Sequence, residues 1–194
     1  MKSLKGTQTA INLMKSFAGE SQASMRYKYY AKAANKEKLV QIANIFEETA
    51  RNEDEHAKRF FKFLNKDFDG AKIEIEADFP IHLGDTKTNL VAAAEGEHEE
   101  YSDMYPEFAK IAKEEGFDEI SKVFTEISEV EEAHEKRFLK LHENIVNNRL
   151  YKRDEVVLWK CNNCGYIHEG TEAPTLCPAC AHPQGYFELF VETY

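Results

Sequence analysis

The 194-residue chain is 42% hydrophobic and carries a formal net charge of -10, from 35 acidic against 25 basic residues. That length suffices for one ordinary domain plus a small appendage, and the negative balance repels nucleic-acid phosphates and anionic membranes, so neither is expected as a partner. No apolar run approaches the roughly 18 residues of a membrane span and residues 1–19 hold no uninterrupted apolar stretch, so a soluble, cytoplasmic protein is expected.

Apolar residues at helical spacing (Ala10, Leu13, Met14, Phe17, Ala23, Tyr27, Ala31) predict a first helix over residues 7–34. A second stripe through Leu39, Ile42, Ile45, Phe46, Thr49, Phe60 and Leu64 follows after a short polar connection, which makes the two helices antiparallel neighbours. Residues 65–88 break the pattern with Gly70, Pro80 and Gly84 and read as a long crossover, in which Ile73, Ile75 and Ala77 alternate with charges and could form a short extended piece. A third helix over 89–114 and a fourth over 118–147, separated at Gly116, complete two helical hairpins. Residues 149–194 change character, with Cys, Pro and Gly punctuation and short apolar runs at 156–159 and 186–191, and read as a separate strand-containing module. The expected architecture is therefore mainly α: a four-helix bundle over 1–148 with one long crossover, the ferritin-like arrangement, followed by a small β-containing metal domain.

Each helix places a carboxylate on its apolar face. Glu20 lies three residues after Phe17 and seven before Tyr27, and Glu53 seven after Phe46 and seven before Phe60 with His56 one turn on. Glu97 lies four after Ala93 and seven before Met104, with Glu100 three further; Glu131 lies seven after Phe124 and seven before Phe138, again with a histidine, His134, at plus three. Burying even one unpaired carboxylate costs several kcal/mol, so four or more in one bundle require cations, and the stripes contain almost no basic residue at these levels. Two divalent ions meet the need, and carboxylates with two imidazoles suit iron or manganese better than a thiolate-preferring metal. One Glu from each of two helices and Glu-x-x-His from each of the other two is the ligand pattern of ferritin-like carboxylate proteins. The spacings Glu20 to Glu53 (33 residues) and Glu97 to Glu131 (34) suggest that the hairpins are diverged repeats. Tyr27 and Tyr105 fall near the metal face as candidate hydrogen-bond donors to ligand carboxylates. Glu47, Glu48, Glu95, Glu129 and Glu132 read as solvated charges.

All four cysteines fall within 20 residues. Cys161, Cys164, Cys177 and Cys180 form two C-x-x-C pairs with twelve residues between, which suits one tetrahedral ion in a reducing compartment rather than a disulfide framework. Spacing does not choose between structural zinc and redox iron, but a one-electron carrier has a use beside a redox-active metal pair.

The cysteine segment, with Gly165-Tyr166 after the first pair and Cys-Pro-x-Cys as the second, resembles rubredoxin. The whole chain, including Phe17-Ala18-Gly19-Glu20-Ser21-Gln22-Ala23 and Gly165-Tyr166-Ile167-His168-Glu169-Gly170, resembles the rubrerythrins. That resemblance implies a di-iron centre held by Glu20, Glu53, Glu97, Glu100, Glu131 and His134, with His56 becoming a ligand to one iron on reduction, and a third iron on the four cysteines. It also implies reduction of hydrogen peroxide to water in oxidative-stress protection, with electrons ultimately from NADH. The chain has no Gly-x-Gly-x-x-Gly fingerprint among its nine glycines, so a separate reductase, with rubredoxin as a further candidate donor, is expected. The fourth helix carries the cysteine module roughly 20 Å beyond His134 at about 1.5 Å per residue, so a head-to-tail homodimer is expected, one subunit's cysteine site approaching the other's metal pair. The alternatives are a ferroxidase using the same carboxylates and a non-enzymatic helical scaffold with a zinc ribbon.

Overall fold

A computed structural model describes residues 2–194. Its helices are α1 (Gln8–Lys36), α2 (Val40–Phe68), α3 (Thr86–Glu99), α4 (Tyr105–Glu114) and α5 (Asp118–Val146), with a π-helical segment, Glu100–Met104, joining α3 to α4. Thr7 caps α1 by accepting the Ala10 N–H, and Asp85 caps α3 by accepting that of Thr88. The Asp85 cap starts the third helix three residues earlier than the apolar spacing alone predicts.

α1 pairs with α2, and α3 and α4 pair with α5. The two hairpin turns are copies of one another. Glu37 and Glu115 both close their helices at φ -79°, ψ -1°, Lys38 and Gly116 follow with φ of 64° and 80°, and Leu39 and Phe117 enter the next helix at ψ 66° and 64°. The left-handed middle residue lets the chain reverse in three residues.

The repeat extends through the bundle. Tyr27 and Tyr105, Phe46 and Phe124, Glu53 and Glu131, His56 and His134, and Phe60 and Phe138 are each 78 positions apart, whereas Glu20 and Glu97 are 77 apart. The extra residue in the second hairpin is absorbed by the π segment, where the Tyr105 N–H reaches back to the Glu100 carbonyl. Eight residues of regular α-helix would turn Tyr105 about 80° away from Glu97; one inserted residue reduces this to about 20°, which restores the shared face. Pro106 stands just beyond, lacking an N–H, and the Tyr101 carbonyl accepts from the Ser128 hydroxyl instead.

Two apolar clusters stack along the bundle on either side of the carboxylate level. One holds Tyr27, Tyr30, Phe46, Leu90 and Phe138, the other Leu13, Phe60, Tyr105, Ile120 and Phe124. Their aromatic cores match: Phe46–Phe138 centroids are 5.2 Å apart at 31°, and Phe60–Phe124 5.1 Å apart at 29°. The crossover between α2 and α3 forms no strand. Ile73 and Ile75 do turn partly inward, but residues 72–79 make no hydrogen bond to the bundle among the described residues. A strand needs a hydrogen-bonding neighbour, and the helices offer none, so this segment stays unpaired.

The C-terminal module is a three-stranded antiparallel sheet in the order β2-β1-β3, with β1 Lys152–Cys161, β2 Ile167–Glu172 and β3 Phe187–Leu189. Its core is Trp159, Phe187, Ala173, Cys161 and Cys177. Tyr151 packs against both this core and the bundle's. Gly185 lies on the α1–α2 turn, where a Cβ would stand 1.7 Å from the Lys38 carbonyl oxygen. No helix among the described residues is long and apolar enough to cross a membrane.

Candidate metal centres

The inward carboxylates meet at mid-bundle. Glu20, Glu53, Glu97 and Glu131 are at most 1% exposed and His134 is 5% exposed, while His56 is only slightly more open. Their ligand atoms form two interlocking quartets, each gathered within 4.8 Å: Glu20, Glu53, His56 and Glu131, and Glu53, Glu97, Glu131 and His134. Glu53 and Glu131 belong to both. Glu53 turns Oε2 to His56 Nδ1 (2.9 Å) and Oε1 to His134 Nδ1 (3.2 Å); Glu131 turns Oε1 to His56 (2.9 Å) and Oε2 to His134 (2.8 Å). Glu20 and Glu97 are terminal, each 3.9 Å from its own quartet's histidine.

Several of these atoms lack hydrogen bonds although they are fully buried: Glu20 Oε2, Glu53 Oε1, both Glu131 oxygens and His134 Nδ1. The close His134 contacts are not aimed along an N–H. Orphaned oxygens and imidazole nitrogens that converge are what a pair of cations satisfies, so the residues fit two metal ions. The remaining oxygens are held from outside: the Tyr27 hydroxyl donates to Glu97 Oε1 (2.5 Å) and the Tyr105 hydroxyl to Glu20 Oε1, each tyrosine reaching across to the other hairpin.

Without metal, protons carry the charge. Burial, then neighbouring carboxylates, hold the Glu20 and Glu97 carboxyls well above the usual range. Burial also opposes ionisation of Glu53, but the adjacent His134 and His56 imidazoles outweigh it and lower its pKa. Burial disfavours the imidazolium forms, yet Glu131 and Glu53 raise His56 to about 10 and His134 to about 9. Burial, with adjacent carboxylates, raises both tyrosine hydroxyls well above their ordinary value, so each remains a donor.

Glu100 stands apart. It opens the π segment, is partly exposed, and joins neither quartet, although burial, then Glu131 and Glu53, hold its carboxyl high. His56 occupies the place beside Glu20 in this arrangement. Of the presumed solvated charges, Glu47, Glu48, Glu95 and Glu129 are exposed, and Glu132 is partly exposed and paired with Lys136. The π segment escaped sequence reasoning; the eight-residue spacing of Glu97 and Tyr105 against seven for Glu20 and Tyr27, with Pro106, was its available signal.

The four cysteines converge in the C-terminal module, all sulfurs within 4.8 Å of one another, with Cys161–Cys180 at 3.8 Å and Cys164–Cys177 at 3.7 Å. A disulfide would need about 2.05 Å. Thiolates at about 2.3 Å from a tetrahedral ion lie about 3.8 Å apart, which matches. Burial opposes the Cys180 thiolate, but the His182 backbone N–H and neighbouring thiols bring its pKa down to about 6. Cys161 and Cys177 are buried, whereas Cys164 is exposed.

Two ligand quartets that share two carboxylates in a four-helix bundle, joined to a four-cysteine cluster of tetrahedral spacing, define a ferritin-like non-haem iron oxidoreductase with a rubredoxin-like domain. Residues 12–142 match the rubrerythrin family model and residues 159–188 that of the rubrerythrin rubredoxin-like domain. The chain belongs to the rubrerythrin family. It is 61% identical to rubrerythrin of Clostridium perfringens over the full length of both chains, and 55% identical to rubrerythrin of Nitratidesulfovibrio vulgaris over 97% of each. Among solved structures it is similar to nigerythrin in its partially reduced state (TM-score 0.65, 31% identity, 97% of this chain and 92% of that one). It shares its fold with a bacterioferritin of Desulfovibrio desulfuricans (TM-score 0.64, 21% identity, 73% and 82% covered). The metal of both sites is iron, as the family implies and the donor sets accommodate.

Proposed function

We propose that the protein is a hydrogen peroxide reductase of the cytoplasm that protects against oxidative stress, drawing electrons from NADH through a separate reductase, directly or by way of rubredoxin. The observation that carries this reading is the pairing within one chain of a shared-carboxylate metal site with a four-cysteine site. When bound, the iron pair supplies two electrons to the O–O bond together, and the cysteine-held iron restores them singly.

The chain's own residues do the rest. Glu53 and Glu131, shared by both quartets, would hold both ions, and Glu20 with His56 and Glu97 with His134 would each hold one. Glu100 would be a further ligand that enters from the π segment, and His56 would become a ligand to one iron on reduction. Tyr27 and Tyr105 fix Glu97 and Glu20 by hydrogen bonds and leave each carboxylate one free oxygen. Cys161, Cys164, Cys177 and Cys180 would hold the relay iron, in a module of residues 149–194 that follows a bundle unit of 1–148. Because α5 separates the two centres within one chain, a head-to-tail homodimer supplies the shorter path.

The test is metal content and visible spectrum, then anaerobic reduction and one equivalent of hydrogen peroxide. About three irons per chain, a red spectrum that bleaches on reduction and rapid recolouring by peroxide are expected from two quartet sites plus one cysteine site. Zinc on the cysteines with an inert bundle would overturn the proposal, and iron turnover without an electron donor would favour a ferroxidase. For the dimer, mixing a Cys164→Ser chain with a Glu131→Gln chain should restore activity; no recovery in proven heterodimers would eliminate the head-to-tail arrangement.

A further inference from the structure

The crossover strap passes over the metal level on the side of α1 and the π segment. The Arg26 guanidinium donates to the Pro80 carbonyl (3.3 Å) and the Tyr30 hydroxyl to that of His82 (3.1 Å), which pins the strap just beyond Phe79. A Cβ placed on Gly19 would lie 4.0 Å from the ring edge of Phe79 and 4.0 Å from Glu100 Oε1, with nothing else within 4 Å. Gly19 thus lies between the strap and the outermost carboxylate of the site. Its missing side chain leaves a gap about the width of a methyl group.

That gap calls for an explanation. Gly19 sits in the interior of α1, beside the ligand Glu20, where glycine is a poorer helix former than alanine. Its backbone is not left-handed, so no conformational demand excludes a side chain. A methyl there would meet only ordinary contacts. What it would remove is open space next to Glu100, which is partly exposed while Glu20, Glu53, Glu97 and Glu131 are sealed. Phe79 bounds the same space and is 39% exposed as a residue, a large apolar group kept at the surface. Residues 72–79 carry no hydrogen bond to the bundle among the described residues, so the ring is placed by van der Waals contact and by the anchors at Pro80 and His82 that follow it.

We infer that Gly19 and Phe79 frame the route by which the small oxidant reaches the metal pair past Glu100, and that Phe79 sets the size limit that admits hydrogen peroxide and rejects bulky alkyl hydroperoxides. The inference rests on the peroxidase reading for its substrate but not for its geometry. Phe79 and Gly19 are specificity-determining and touch no reacting atom.

The test uses the full-length iron protein and the variants Phe79→Ala, Phe79→Leu and Gly19→Ala, with kcat/KM for hydrogen peroxide and for cumene hydroperoxide. A second readout is the rate of Co(II) uptake by the metal-free protein, followed by its absorption. Opening the gap in Phe79→Ala should raise kcat/KM for cumene hydroperoxide roughly tenfold, the order that a change of a methylene or two in an apolar pocket carries, and leave that for hydrogen peroxide within about twofold. Phe79→Leu, which keeps the strap's apolar contact, should shift the same ratio by less. Gly19→Ala should melt no lower than the parent yet react several-fold more slowly with hydrogen peroxide, which separates access from stability. Cobalt uptake should be faster in Phe79→Ala and slower in Gly19→Ala. Unchanged uptake and an unchanged peroxide ratio in all three variants would overturn the inference. If the parent protein reduces neither peroxide, the peroxidase reading falls, and the cobalt rates alone decide the access route: unequal rates keep it and equal rates remove it.

Discussion

Glu53 and Glu131 differ from Glu20 and Glu97 in how many neighbours they serve, although all four are equally buried. Each of the first pair presents one oxygen toward His56 and the other toward His134, whereas Glu20 and Glu97 each face a single quartet. Removing a shared ligand should therefore empty both positions, and removing a terminal one only its own. We expect Glu131→Gln to lower iron in the bundle from about two per chain to well under one, and Glu20→Gln or Glu97→Gln to leave about one, as ligand loss typically costs more than the 10–100-fold seen for outer groups. Metal analysis of the variants, each with its cysteine iron as internal standard, checks this. Equal loss from all of them would mean that no carboxylate is shared. The tyrosines illustrate a different dependence: Tyr105 serves Glu20 from the opposite hairpin, so its contribution comes from folding and not from its place in the chain.

Among the elements, the helices were legible because their apolar residues repeat every three or four positions over nearly thirty residues, a signal that small irregularities do not erase. The inward glutamates were legible for the same reason, since a charge inside an apolar stripe is conspicuous. The π segment was not, because the stripe resumes on the same face beyond it, and its only trace is a spacing of eight where the first hairpin has seven. The alternation at Ile73, Ile75 and Ala77 was legible only in part: Ile73 and Ile75 turn partly inward while Ala77 does not, and only a hydrogen-bonding neighbour would make such a segment a strand. The contact between module and bundle was also hidden, since Gly185 resembles any turn glycine until Lys38 is seen beneath it. There a methyl group would collide with backbone that has no rotamer to yield. We expect Gly185→Ala to destabilise the docked module by about 1–3 kcal/mol, the usual cost of overpacking, while the four-cysteine spectrum stays intact. Scanning calorimetry should show the module's transition moving away from that of the bundle; a single unshifted transition would show that the contact does not join the two.

For the whole molecule, the metal site makes stability depend on what balances its charge. In the metal-free protein Glu20, Glu97 and Glu100 have carboxyls raised well above 4.5, chiefly by burial, and His56 and His134 are raised from 6.5 to about 10 and about 9. In each case the folded state binds its proton more tightly than the unfolded chain. That stability is complete below the unfolded pKa and is lost as pH rises through the folded one, at about 1.4 kcal/mol per pH unit for each proton of difference. Glu53, whose pKa is lowered by the two histidines, acts in the opposite sense, but its contribution disappears only as pH falls below about 4.5. The metal-free bundle should therefore be most stable near pH 4.5, below which Glu53 loses its contribution and above which the three raised carboxyls and then the histidines lose theirs, and should lose several kcal/mol by pH 9. Iron replaces those protons, since bound carboxylates and imidazoles must be deprotonated, so loading should release protons and flatten the curve between pH 6 and 9. Thermal melts of metal-free and iron-loaded protein across this range decide the matter. A metal-free melting temperature that stays level or climbs from pH 6 to 9 would show that protons do not stand in for the metals, and that the buried carboxylates are neutralised by rearrangement of the bundle.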